Sequence, residues 1–207
     1  MPDLIKDNQL LKEFGDSDES LMILFRQDNE DAFRILFDRY CARIINFAFR
    51  FLNSKEDAED ITQEVFVRIY RKKLIYNPKS PFRPWLYSIV SHLVSNKLRD
   101  KKRHPHHSLD WTATDEEGNE FSVEPIEMGT SSESVQSERT ELTRSVQSAV
   151  QALPQNQRAA VLLAKFEGLS YEEIAAAMGL SLSSVTSLLF RARQTLKEAL
   201  SEFSQKT

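Results

Sequence analysis

The chain has 207 residues, room for one ordinary domain or two small ones, and its 41% hydrophobic and 28% charged residues fit a protein that folds in water. No run approaches the roughly 20 apolar residues of a membrane-spanning helix. Asp3 and Asp7 stand where a secretory leader would be basic and then apolar, and the single Cys41 excludes an internal disulfide. A cytoplasmic location without membrane insertion is therefore expected.

The five glycines, at 15, 118, 129, 168 and 179, form no phosphate-cradling loop, and no alternating strand pattern is visible. An all-α chain is expected. The net charge of −4 hides a strong asymmetry. Between Asp110 and Glu141 ten acidic residues face one base, a local charge of −9 that leaves +5 for the rest. Nucleic-acid binding needs a local basic patch rather than a basic average.

In chain order, residues 1–20 read as an acidic N-terminal extension with a short helix through Leu10 and Phe14. A helical module follows over 21–104. Ala32, Phe33, Leu36, Phe37 and Tyr40 step by three and four, and Ile44, Ile45, Phe47, Ala48 and Phe51 continue the stripe. Ser54 and Asp57 form a capping pair for a second helix with Ala58, Ile61, Val65 and Ile69 on one face, and Asp57, Asp60, Glu64 and Arg71 on another beside Gln63. A third helix starts near Pro81 to Pro84 and runs through Trp85, Leu86, Ile89, Leu93 and Leu98. It ends in the basic cluster Lys97, Arg99, Lys101, Lys102 and Arg103.

Residues 105–140 hold Pro105, Gly118, Pro125 and Gly129 among Ser, Thr and Glu, too little apolar surface to offset ordering entropy, and read as a flexible acidic linker. Helical periodicity returns over 141–204. Leu153-Pro154 opens one helix, and Ser170 with Glu173 makes a capping box for the next. Ala175 is small where helices cross, and Gly179 supplies the positive φ of a tight turn. Ser181 caps a last helix through Val185, Leu188, Leu189 and Ala192. Short helix, glycine turn and second helix is the helix-turn-helix layout.

The run from Asp57 to Tyr70 (DAEDITQEVFVRIY), followed by Pro84 to Ile89 (PWLYSI), resembles region 2 of the extracytoplasmic-function sigma factors of bacterial RNA polymerase. Leu153-Pro154 through Arg158, Gly168 to Ala175 (GLSYEEIA) and Phe190 to Arg193 (FRAR) resemble their region 4. The likeness spans about 140 residues in two blocks, in the family's order. It implies a region-2 helical bundle and a region-4 helix-turn-helix on either side of the linker. It also implies core RNA polymerase and promoter DNA as partners, an anti-sigma factor as a further partner, and neither cofactor, small-molecule substrate nor enzymatic activity.

The resemblance implies roles residue by residue. Asp57, Asp60, Gln63 and Glu64 match the helix that docks on polymerase, although an acidic-polar face is also simply a solvated one. The loop from Tyr76 to Phe82, with Lys79 in it, matches the segment that captures a base flipped from the −10 element. Tyr76, Phe82 and Trp85 offer aromatic surface for stacking or pack the core. His92 stands where relatives often carry Asn, which leaves the recognised base open. Lys97, Arg99, Lys101, Lys102 and Arg103 would meet phosphates, a salt-sensitive contact, or end a solvated helix.

Ser183, Ser184, Thr186, Ser187, Phe190 and Arg191, with Arg193, match the face that enters the major groove of the −35 element. The helix is poor in bidentate base readers, so weak −35 binding or readout through DNA shape is expected. Arg193 serves packing or phosphate as an alternative.

His104, His106 and His107 invite a metal site, but no paired cysteine accompanies them, and no metal is expected. No nucleophile sits beside a recognisable base. The rival functions are a helix-turn-helix regulator that never joins polymerase, and an interaction adaptor with degenerate DNA binding. The Asp57 to Tyr70 helix argues against the first, and the depleted recognition helix motivates the second.

Overall fold

A computed structural model describes residues 17–103 and 133–201; the described secondary structure is eight α-helices without a strand. The expected Leu10–Phe14 helix and residues 104–132 of the linker lie outside the described residues.

Helix α1, Asp18–Arg26, begins inside the segment expected to be an extension. Ser17 accepts from the Ser20 amide at 3.1 Å, and Asp18 and Glu19 put negative charge on the first turn. Leu21, Met22, Leu24 and Phe25 are buried. Helix α2, Glu30–Leu52, is capped by Asn29, which accepts from the Ala32 amide at 3.1 Å, and ends on Asn53 in the left-handed conformation. Its 23 residues span about 34 Å. Leu36, Tyr40, Ile44, Phe47, Ala48 and Phe51 line its buried stripe.

Helix α3, Lys55–Lys72, packs along α2 through Ala58, Ile61, Val65, Phe66 and Ile69. Helix α4, Phe82–Arg103, lies against α2 and α3. Fully burying each of Phe25, Phe47 and Phe51 contributes roughly 1.5–3 kcal/mol, and these rings carry the centre of the bundle.

Helix α5, Glu133–Ala152, takes in the last eight residues of the expected linker. Helix α6, Gln155–Lys165, follows Pro154, whose missing N–H is no loss at a helix start. Helix α7, Tyr171–Met178, carries the full capping box. The Glu173 amide donates to Ser170 Oγ at 3.2 Å, and the Ser170 amide donates to Glu173 Oε2 at 2.8 Å. Gly179 closes α7 at φ +64°, and Ser181 caps α8, Leu182–Ala199. Ile174, Ala177, Val185, Leu189 and Ala192 pack this helix-turn-helix onto α6.

The two modules touch along α4 and α7 and at the C-terminus of α2. There the second module supplies partners for carbonyls that a helix end leaves bare. Gln151 Nε2 donates to the Arg50 carbonyl at 2.5 Å, and Arg158 Nη1 donates to the Phe51 carbonyl at 2.7 Å. Arg158 is 8% exposed, and burial lowers its pKa. The Arg50 guanidinium lies 4.2 Å from the Phe166 ring centroid.

An added Cβ at Gly179 meets no atom within 4 Å, so substitution there tests the backbone alone. Gly179→Ala is expected to cost about 1–2 kcal/mol from the left-handed conformation, measured by urea unfolding. An unchanged midpoint would mean that the turn relaxes out of that conformation.

Candidate polymerase and promoter interface

Helix α3 presents Glu56, Glu59, Asp60 and Gln63 to solvent at spacings of three and four. Glu64, half-buried beside them, pairs with Arg68 at 2.7 Å. Glu56 and Glu59 extend the expected polymerase face and were legible in the same helical periodicity.

Asp57 departs from that face. It is 7% exposed and turned towards α4, where its carboxylate meets Lys97 at 3.0 Å and Lys101. Lys97 also lies 3.6 Å from Asp60. Burial pushes the Asp57 carboxyl up, but hydrogen bonds from Lys101, Lys97 and Ser54 outweigh it and hold it below its usual range. The amide of Asp57 donates to Ser54 Oγ at 3.3 Å, while its side chain staples α3 to the basic end of α4.

The structure puts Tyr76 and Phe82 in the core, each 1% exposed. The Tyr76 hydroxyl donates to the Ser80 carbonyl at 2.5 Å. Burial, with the Glu19 and Asp18 carboxylates adding to it, pushes that phenol up to about 12. Trp85 is half-buried, 5.0 Å from the Tyr76 ring and 5.9 Å from Phe82. Tyr76 and Phe82 thus build the wall under the loop and leave Trp85 the partly open ring. Asn77, Lys79, Ser80 and Pro81 of the loop and His92 of α4 are exposed.

Helix α1 fixes this loop, a role without any signal in the sequence. Glu19 Oε1 accepts from the Phe82 amide at 2.7 Å and so caps α4, and Arg26 Nη1 donates to the Tyr76 carbonyl at 3.1 Å. Asp18 holds Arg39 at 2.5 Å and the Tyr40 hydroxyl. These pairings cross 21 to 63 residues of sequence, beyond the reach of helical periodicity.

Arg99, Lys101 and Arg103 are exposed at the end of α4, and Lys97 is half-buried there. The backbone of Lys102 belongs to the same helix; its side chain lies outside the described residues. On α8, Ser183, Ser184, Thr186, Ser187, Phe190 and Arg191 face outward, with Phe190 62% exposed. Ser183, Ser184, Ser187, Leu188 and Arg191 line a shallow open groove. Thr186 donates to the Leu182 carbonyl at 2.9 Å, and Arg193 donates to the Tyr171 hydroxyl at 2.6 Å. Arg193, exposed like Arg191, thereby ties α8 to the start of α7.

Among the described residues no three or more His, Cys, Asp or Glu side chains converge as metal ligands; His104, His106 and His107 lie outside them. No single described helix is long and apolar enough to cross a membrane.

The family model for Sigma-70 region 2 matches residues 36–104, and that for Sigma-70, region 4 matches 143–196. Fold and surfaces together define an RNA polymerase sigma factor of the sigma-70 type, a family that is not a class of enzymes. The chain is 33% identical over 187 residues to the RNA polymerase sigma-H factor of Pseudomonas aeruginosa, covering 89% of this chain and 94% of that one. It is 32% identical over 180 residues to the ECF RNA polymerase sigma-E factor of Escherichia coli, covering 87% and 92%. Among solved structures, CnrH in complex with the cytosolic domain of CnrY aligns with a TM-score of 0.64 at 27% identity, over 90% of this chain and 99% of that one. The sigma factor RpoE of Bartonella quintana, solved with the anti-sigma factor NepR, shares the fold at a TM-score of 0.61 and 21% identity, over 82% and 96%. The chain belongs to the extracytoplasmic-function subfamily of bacterial RNA polymerase sigma factors.

The staple has a pH signature. A depressed carboxyl contributes stability that is complete above its unfolded range near 4 and is lost as pH falls through the lower folded value. Asp57→Asn is expected to cost about 1.5–3 kcal/mol near pH 7, with the difference from the unmutated protein shrinking below about pH 4. Urea unfolding at stepped pH measures it. A difference that persists at pH 3 would remove the ionic role.

Proposed function

We propose that the chain carries out sigma-factor function with its first module, 21–104, on polymerase and the −10 element, and its second, 141–204, on the −35 element. The protein itself catalyses no reaction, needs no cofactor, and acts in the cytoplasm. The observation that carries the residue assignments is the exposed acidic row of α3 beside the exposed basic end of α4. Opposite charges on adjacent helices suit two partners of opposite charge, a basic docking surface and the phosphate backbone.

Asp60, Gln63 and Glu64, with Glu56 and Glu59, dock on core polymerase. Asp57 acts behind them as a positioning residue that orients Lys97 and Lys101. The −10 strand lies over Lys79, Trp85 and His92, with Tyr76 and Phe82 supporting the loop from beneath. Arg99, Lys101, Lys102 and Arg103 meet phosphates. On α8, Arg191 reads a base edge or phosphate while the serines and Thr186 make short polar contacts, and Arg193 supports the helix from α7. One guanidinium on that face favours shape readout over a base code.

An anti-sigma partner of the kind seen with CnrH and RpoE is expected for this chain as well. The stand-alone regulator and the adaptor are disfavoured, because neither accounts for both sigma regions in order.

Run-off transcription with core polymerase tests the assignment on promoter fragments that include the DNA upstream of the protein's own gene. A specific transcript that requires the protein, and that Asp60→Ala with Gln63→Ala abolishes, is expected. Core binding intact in that double variant would remove α3 from the docking face. Arg99→Ala and Arg103→Ala should each reduce the salt slope of promoter binding by about 1, with similar losses across promoters. A sequence-dependent loss would assign those residues to base readout instead.

A further inference from the structure

Among the described residues, the two most exposed large apolar side chains are neighbours in the chain. Leu74 is 68% exposed and Ile75 76%, on the turn that leaves α3. Single aliphatic groups on a surface need no explanation, but this pair is adjacent and its backbone is held on both sides. Before it, Lys73 pairs with Asp28 at 2.6 Å and lies 4.7 Å from the Phe25 ring centroid and 5.2 Å from that of Tyr70. After it, Tyr76 is sunk in the core, with Arg26 on its carbonyl and its hydroxyl on the Ser80 carbonyl. The amides of Ile75 and Tyr76 both donate to the Lys72 carbonyl, at 2.9 and 3.2 Å. The two side chains are thus presented outward on a fixed turn, which lowers the ordering cost of placing them against a partner.

The surroundings specify that partner. Arg71 and Lys72 precede the pair and Lys79 follows it, all three exposed. No acidic residue occurs from Val65 to Arg99. The acids that approach from α2 and the turn before it are engaged, Asp28 by Lys73 and Glu30 by the Tyr70 hydroxyl. Aliphatic carbon among basic groups suits a polyanion with apolar faces to share, which is DNA where its bases are unstacked. The position agrees. Four residues separate Ile75 from Lys79, at most about 14 Å of chain. Duplex rises about 3.4 Å per base pair, so the pair lies within roughly four base steps of whatever the loop holds.

We propose that Leu74 and Ile75 form an apolar wedge that enters an unstacked base step at the edge of the −10 element and keeps the strands apart. The proposal rests on the assignment of the first module to that element. Proteins that kink duplex insert Leu, Ile, Phe or Met side chains between base steps, and the aliphatic surface replaces part of the stacking that is lost. The wedge itself leaves water in the same event. Arg71, Lys72 and Lys79 meet the flanking phosphates and keep it in register. Neither aliphatic side chain carries a hydrogen-bonding group, so the wedge governs how readily the duplex opens rather than which base is captured.

Leu74→Ser with Ile75→Ser tests the wedge in the full-length protein, assembled with core polymerase on a promoter that gives a transcript in the run-off assay. Strand opening is followed by the permanganate reactivity of −10 thymines. On duplex promoter the double variant is expected to open roughly tenfold more slowly, a part of the cost of unstacking one step. On the same promoter with the −10 element mismatched, and so already open, its transcript yield should equal that of the unmutated protein. Core binding and circular dichroism should be unchanged, because both residues are exposed. Leu74→Met with Ile75→Met, still apolar, should open the duplex at the unmutated rate. Unchanged opening by the serine variant would overturn the proposal, as would an equal loss on duplex and mismatched templates. Loss of core binding would overturn it too and assign the pair to a protein partner. If the unmutated protein left the −10 thymines unreactive on a promoter it transcribes, the −10 assignment itself would fail.

Discussion

Burial of the α2 stripe organises everything around it. Tyr40, Ile44, Phe47 and Phe51 lie on one long helix, and no single neighbour is wide enough to cover them. Helices α1, α3 and α4 share that task, and the C-terminal end of α2 meets the second module through Gln151 and Arg158. Close packing of aromatic side chains admits few alternative arrangements, so the positions of α3 and α4 follow from covering this stripe. Phe47 against Tyr87, 5.7 Å between centroids, shows how directly the core leads to the module interface. The hydroxyl of that same Tyr87 reaches Glu167.

On this scaffold, polar contacts do the fine positioning. Three carboxylates on different elements each hold a functional segment in place. Glu19 caps α4 and sets the loop before it, Asp57 draws in the lysines at the far end of α4, and Glu167 binds one module to the other. Each is an acid surrounded by donors from another helix, and each stands behind an exposed surface rather than on it. Helix α4 is thus fixed at its start and near its end, which gives the exposed groups along it a defined direction. Buried charge is a poor source of stability but a strong source of specificity in arrangement, because a mispaired carboxylate is costly.

The proposed chemistry of recognition follows from what remains outside. The acidic row of α3 and the basic end of α4 lie next to one another, and Lys97 touches both Asp57 and Asp60. A partner that engages Asp60 therefore alters the surroundings of Lys97, which Asp57 also holds. The second module offers a sparse readout surface, with Arg191 facing outward and Arg193 committed to Tyr171.

The amino-acid sequence determined the helices, their caps and the helix-turn-helix, because those depend on neighbours within one or two turns. The stripe from Ala32 to Phe51 (except Phe37, which is exposed), the Ser170–Glu173 box and Gly179 are all local signals, and each has its expected place. The acidic and basic surfaces were legible for the same reason, since periodicity assigns a residue to a face. Only the tertiary structure decided which of those residues turn inward. Asp57 shares its face with exposed acids, yet it lies opposite two lysines forty or more positions away. Tyr76 and Phe82, equally fit for stacking on a base, are sealed by α1, whose Glu19 and Arg26 carry no sign of that role. Glu167 joins modules through Arg43, 124 residues distant. Such pairings depend on where helices finally pack, and long polar side chains select their partners only once packing has brought them within reach.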